Sequence, residues 1–150
     1  MSLLLAVETD LFPPRNPRGD LTSCPPLGIG SLSRRQEEIS SSPDYHGCPM
    51  VAVAAELKDT AHPASTVARR HKQDLTDFFR AEAERAGVAD PDTLAAQLTI
   101  VFDGASAHSV VRAEPLGGLG LRAATALLDT AGVPCPRAFR RPDLRDHVAG

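Results

Sequence analysis

The chain has 150 residues and a formal net charge of −3, with 42% hydrophobic and 23% charged residues, which suits one small core with tails. With Trp absent and only 4% aromatic residues, that balance excludes a strongly basic nucleic-acid surface and a stacking platform for single strands. Cys24, Cys48 and Cys135 are widely spaced, odd in number and form no Cys-x-x-Cys, which fits a reducing compartment better than a disulfide framework. The opening MSLLLAVETD lacks the basic flank and apolar length of a signal peptide, and no segment approaches the roughly 20 apolar residues of a membrane span. A cytoplasmic protein without a membrane partner is expected.

In chain order, residues 1–43 come first. Pro13, Pro14, Pro17, Pro25, Pro26 and Pro43 interrupt every window, and no apolar periodicity survives between them. The segment is expected to be irregular, Pro- and Ser-rich, with at most a helical turn near Ser33 to Ile39. A short helix is predicted from Pro49 to about Leu57, because proline is at home in a first turn. A long helix is predicted from Pro63 to about Gly87, with Ala64, Val67, Ala68, Leu75, Phe78 and Phe79 on one face. Its polar face offers an Arg80–Glu84 pair at i,i+4. A third begins at ADPDTL, with Asp90 as N-cap and Pro91 at the first helical position, and runs to about Arg112. A fourth lies between Gly118 and Ala131, closed by Gly132. No stretch alternates with period two for long, so the fold class is all-α. Residues 133–150, broken by Pro134, Pro136 and Pro142, read as a flexible tail.

The third helix is apolar around most of its circumference. Leu94, Leu98, Val101, Phe102, Ala105 and His108 share one arc, and Ile100, Gly104, Ala107 and Val111 form another. Such a helix must be buried on two sides, more than three companions in one chain supply. The small apolar fourth helix beside it points to a four-helix seam between two copies of the chain. Leu98, Val101, Ala105, His108, Leu121, Ala124 and Leu128 are the interface candidates.

The chemistry-bearing residues are sparse. His46 and Cys48, with His62 or His71, fall short of the paired motifs of structural zinc, and no metal is expected. Cys48 at a helix start is the best-placed thiol. His46 is its only evident base, and no Cys-His-Asn pattern can be assembled. Asp103, Ser106 and His108 are the residue types of a triad, but about 100° of rotation per residue turns Asp103 and His108 nearly opposite ways. GGLGL at 117–121 follows a helix and is not followed by Lys-Ser/Thr, so it reads as a helix–helix turn. Arg137, Arg140, Arg141 and Arg145, diluted by Asp143 and Asp146, read as a solvated end. No enzyme and no cofactor is expected. The alternatives kept open are a small cysteine-dependent enzyme using Cys48 and His46, or a purely structural helical module.

The order of GCPMVAVAAE, the AHP turn, ARRHKQDL, AAQLTIVFDGASAHSVV and AATALLDTAG over residues 44–132 resembles the C-terminal regulatory domain of the TetR family of transcriptional repressors. That resemblance implies an antiparallel helical bundle whose last two long helices form a homodimer interface. It also implies an effector cavity, for which Met50, Val53, His71, Phe78, Phe79 and Phe102 are the candidates. Met50 and Ala52 depart from the aromatic and asparagine usual at those positions. The family's DNA-binding helix-turn-helix is expected to be missing from residues 1–43. DNA would then be reached only through a missing or partner domain. A small apolar effector, and a mixed dimer with a full-length relative, are the further partners implied.

Overall fold

A computed structural model of the chain describes residues 26–133. Five helices follow one another: α1 (Pro26–Ser40), α2 (Pro49–Leu57), α3 (Pro63–Arg85), α4 (Pro91–Arg112) and α5 (Leu119–Thr130). No strand occurs among the described residues. The all-α class and the four helices from Pro49 onward stand as the sequence indicates.

Their ends follow local chemistry. Asp90 accepts the Thr93 amide at 3.1 Å and caps α4, while the His62 imidazole does the same for α3 by accepting from the Ala64 amide at 3.1 Å. At the other end of α3, Gly87 takes φ +73°. Its amide bonds Glu84 at 3.0 Å and that of Val88 bonds Ala83 at 3.1 Å, a Schellman closure. The end of α5 repeats it with Gly132 and Val133, whose amides bond Asp129 and Leu128. Val133 is buried, so the core closes on a residue the sequence reading placed in the tail.

The main correction is α1. The expectation of an irregular segment through residue 43 fails over residues 26–40, which form a 15-residue helix. Residues 1–25 lie outside the described residues, as do residues 134–150 with Arg137, Arg140, Arg141 and Arg145. The inward stripe of α1 is Ile29, Leu32, Ser33, Gln36 and Ser40, with a helical period in burial but only two apolar members. A hydropathy pattern therefore misses it.

That stripe is held by polar bonds. The buried Gln36 amide donates to the Phe102 carbonyl at 2.6 Å and to Ser106 Oγ at 2.8 Å, fixing α1 to α4. The next residue fixes α1 to α5. Glu37 accepts from the Gly118 amide at 2.6 Å through Oε2, and from Gly120 and Leu121 at 3.1 and 3.3 Å through Oε1. No side chain of α5's own cap residue closes that helix, so Glu37 caps it from outside. Gly120 makes room, since a Cβ there would sit 3.4 Å from both Glu37 Oε1 and the Ala105 methyl.

The core gathers Ile29 and Leu32 of α1, Leu75, Phe79 and Ala83 of α3, Leu94, Leu98 and Phe102 of α4, and Ala124 and Leu128 of α5. Burying a side chain of that size contributes about 1.5–3 kcal/mol before conformational entropy is counted. The antiparallel α3 and α4 are also stitched along a polar seam. Lys72 pairs with Asp103, the Thr76 and Thr99 hydroxyls meet at 3.0 Å, and Arg80 reaches Asp92 at 2.5 Å. Arg80 takes Asp77 and Asp92 as its carboxylate partners, in place of the expected Glu84.

One expectation about membranes also changes. By length and composition alone, the 22 residues of α4 are apolar enough to cross a bilayer. In this fold α4 is the central helix, bonded by Gln36 on one side and by Lys72 on another, and its apolarity reflects two apolar faces.

Replacing Glu37 by Ala is expected to lower stability by about 1–3 kcal/mol in urea unfolding, because three amides at a helix start lose a charged acceptor. Glu37→Gln should recover part of that loss. Equal stability of Glu37→Ala and the parent would remove this clamp from the account.

Candidate functional site

The polar centre of the molecule is Ser106, one turn beyond Phe102 on α4. Its hydroxyl donates to the Phe102 carbonyl at 3.2 Å and accepts from Gln36. It is also hydrogen-bonded to the half-buried Tyr45 phenol. The Asp103, Ser106 and His108 side chains diverge as helical geometry requires: Asp103 pairs with Lys72, Ser106 is buried in this network, and His108 is exposed. Tyr45 was not singled out in the sequence. It lies in a connector without periodicity, and only the fold brings it to α4.

Tyr45 is raised above the usual phenolic range, chiefly because burial disfavours the phenolate, with the negative influence of Cys48 adding to it. The hydrogen bond with Ser106 and the nearby Lys72 act in the opposite direction.

Beside Tyr45 lies an open cleft of about 380 Å³, between the α1–α2 connector and the end of α4 with its following turn. Ser40 at the end of α1 and Ser41, Ser42 and His46 of the connector form one wall; Ser109, Val110 and Glu114 come from the other. The walls meet closely behind it. Gly47 has φ +86°, and a Cβ there would sit 3.0 Å from the Val110 methyl.

The expected cavity residues are placed differently. Phe79 lies 5.7 Å from Phe78 and 6.2 Å from Phe102, ring centre to ring centre, and Phe79 and Phe102 are both filled into the core. Met50 and His71 are buried, while Val53 and Phe78 are half-buried. None of the six lines the cleft. Val67, expected on the buried face of α3, is 47% exposed.

The interface candidates divide as well. Leu98, Ala105, Ala124 and Leu128 are buried within the chain itself; Val101 and Leu121 are half-buried and His108 is exposed. The core takes the Leu98–Phe102–Ala105 arc because α1, α3 and α5 all lie on that side. The other arc of α4 is left open, with Ile100 71% and Val111 82% exposed and Gly104 and Ala107 exposed between them.

Among the described residues, His46 and Cys48 share no hydrogen bond with each other. His46 lies on the surface with Nδ1 2.6 Å from the Asp44 carbonyl. Cys48 is half-buried at the start of α2. Among the described residues no three His, Cys, Asp or Glu side chains cluster as metal ligands would.

No protein-family model and no curated protein matches the chain. A solved structure does: a Streptomyces avermitilis protein assigned to the TetR transcriptional regulators is 46% identical, superposes with a TM-score of 0.77, and is matched over 86% of this chain and 68% of its own. The chain belongs to the TetR family. The resemblance read from GCPMVAVAAE to AATALLDTAG is thereby shown, and with it a place among transcriptional regulators. This TetR-family chain carries its polar network and its bare α4 arc on the same helix, on opposite sides.

Tyr45 is the one tyrosine of the chain, and Trp is absent, so its phenolate band can be read without interference. Its midpoint is expected above the value of the urea-unfolded chain. Folding favours the neutral phenol. That contribution is fully present below the unfolded tyrosine value of about 10 and lost as pH rises through the higher folded value. A midpoint equal to that of the unfolded chain would refute the buried, bonded phenol.

Proposed function

We propose that residues 26–133 form the regulatory body of a TetR-family transcription regulator that pairs as a homodimer through α4 and α5. The observation that carries this reading is the stripe Ile100, Gly104, Ala107 and Val111, opposite the arc of α4 that faces the core. On α5, Leu119 and Ala126 are exposed and Ala123 half-buried, on the side turned from Ala124 and Leu128. Apolar residues recurring at helical spacing on open surface favour a partner. Gly104, Ala107, Ala123 and Ala126 would let two pairs of helices approach closely, as a four-helix seam needs. The whole of α1–α5 is occupied in building this body and its pairing face. We therefore assign DNA reading to no part of residues 26–133. A mixed dimer with a relative that carries a DNA-reading domain would use the same face.

Effector sensing is assigned to the region under α2. This helix is apolar except for Glu56, and it leans mainly on α3. Only Met50 is buried and Val53 half-buried, while Val51 and Leu57 are 38% and 40% exposed. So little buried area makes α2 the least firmly held helix, and its displacement would open the Met50–His71 side of the core to a small apolar molecule. The melting temperature is expected to rise with such molecules, and no rise with any of them would refute this assignment. A cytoplasmic location, an absence of membrane contact and an absence of enzymatic activity accompany the regulator reading.

The chain is expected to sediment as a dimer, and Ile100→Glu or Gly104→Glu to give a folded monomer with unchanged circular dichroism. A parent chain that is monomeric at all accessible concentrations would sink the pairing. So would variants that remain dimeric.

A further inference from the structure

The cleft beside Tyr45 has an unusual hydrogen-bonding character. Its serines spend their protons inward. Ser40 and Ser41 both donate to the Glu37 carbonyl at 2.9 Å, and Ser109 donates to the Ser106 carbonyl at 3.5 Å. Only lone pairs of those three oxygens remain for an occupant. His46 behaves alike. The Asp44 carbonyl 2.6 Å from Nδ1 can only accept, so the Nδ1 proton is spent on it. Glu114 adds a carboxylate at the rim. The one hydroxyl proton without a described acceptor is that of Ser42, whose oxygen accepts the Asp44 amide at 3.3 Å. No lysine or arginine lines the cleft. The remaining walls are Pro43, the Tyr45 ring, Val110 and Pro115, apolar surfaces against which an alkyl group can lie.

We propose that this cleft binds a small primary amine in its ammonium form, with the nitrogen among the Ser109, Ser41 and Glu114 oxygens and its alkyl body against Pro43, Tyr45 and Val110. An ammonium group brings three donors and no acceptor, the complement of an acceptor-lined site. Its charge meets one carboxylate and no opposing cation among the lining residues. A carboxylate ligand would meet the Glu114 carboxylate and find, among the lining serine hydroxyls, only that of Ser42 free to donate. An alcohol would satisfy one acceptor and leave the others unmatched. The volume of about 380 Å³ falls at the low end of the roughly 300–1,000 Å³ of small-molecule sites, which limits the occupant to a compact amine. None of the lining residues belongs to α2 or to the proposed pairing stripe. The site therefore stands or falls independently of both.

The test uses the fluorescence of Tyr45, unobscured because the chain has one tyrosine and no tryptophan. The full chain is titrated with cyclohexylmethylamine at neutral pH, with cyclohexylmethanol and cyclohexanecarboxylate as matched controls. The expected result is a saturable change with the amine alone, weakening as salt is raised. Glu114→Gln, at an exposed position, should weaken it about three- to fivefold with the fold unchanged. Ser109→Ala should weaken it further. No saturable response to the amine, an equal response to the alcohol or carboxylate, or undiminished affinity in Glu114→Gln overturns the proposal. Sedimentation of the same samples reports the dimer separately, so failure of one reading is not mistaken for failure of the other.

Discussion

Two neighbouring side chains of α1 hold this molecule together. Gln36 spends both amide protons on α4, at Phe102 and Ser106, and Glu37 spends its carboxylate on the amides that begin α5. Gln36 is buried, so each of its bonds replaces water in an environment where an unmet polar group costs about 1–3 kcal/mol. The consequence is positional. Once Gln36 meets α4 at Ser106, the faces of α4 are assigned: Leu98, Phe102 and Ala105 turn to the core, and Ile100, Gly104, Ala107 and Val111 turn away. The same contact places Ser106 where Tyr45 can reach it, which draws the α1–α2 connector against the end of α4 and shapes the cleft.

Much of this was legible in the residues. Pro49, Pro63 and Pro91 sit at helix starts, Asp90 caps α4, and Gly87 and Gly132 end α3 and α5, because capping chemistry is local and needs no tertiary partner. Helix α1 was not legible, since its buried stripe includes Ser33, Gln36 and Ser40. The burial of Gln36 is favourable only where a carbonyl or hydroxyl from another helix meets it, and those partners lie 66 and 70 residues away. The same reason hid Glu37, which reads as one more surface carboxylate until α5 arrives beside it.

The two arcs of α4 show a different limit. Composition establishes that both are apolar and that the helix is therefore covered twice. It does not rank them. Leu98, Phe102 and Ala105 differ little in character from Ile100, Ala107 and Val111, so no local propensity decides which arc the chain covers by itself. The decision comes from α1 and α3, whose Gln36 and Lys72 both bond to the polar strip that flanks the inner arc, at Ser106 and Asp103. The candidate cleft was illegible for a related reason: a serine's role depends on where its proton goes, and the carbonyls of Glu37 and Ser106 that take those protons are supplied by helix geometry.

This arrangement has a bearing on how a regulator of this build would transmit a signal. The helix that carries the proposed pairing stripe also carries Phe102 and Ser106, to which α1 is bonded, and Ser109 and Val110, which wall the cleft. A rigid helix cannot rotate at one of these places without rotating at the others. An occupant that shifted the end of α4 would strain the Gln36 and Tyr45 bonds at Ser106 and the packing of Gly47 against Val110. It would also change the angle at which Ile100 and Val111 are presented. The free energy available for that coupling is bounded by the difference in the occupant's affinity for the two arrangements. α2 is a poorer lever, because it leans mainly on α3 and can move while the Ser106 network stays intact. Of the two candidate effector regions, the cleft beside Tyr45 is the one mechanically joined to both α1 and the proposed dimer face.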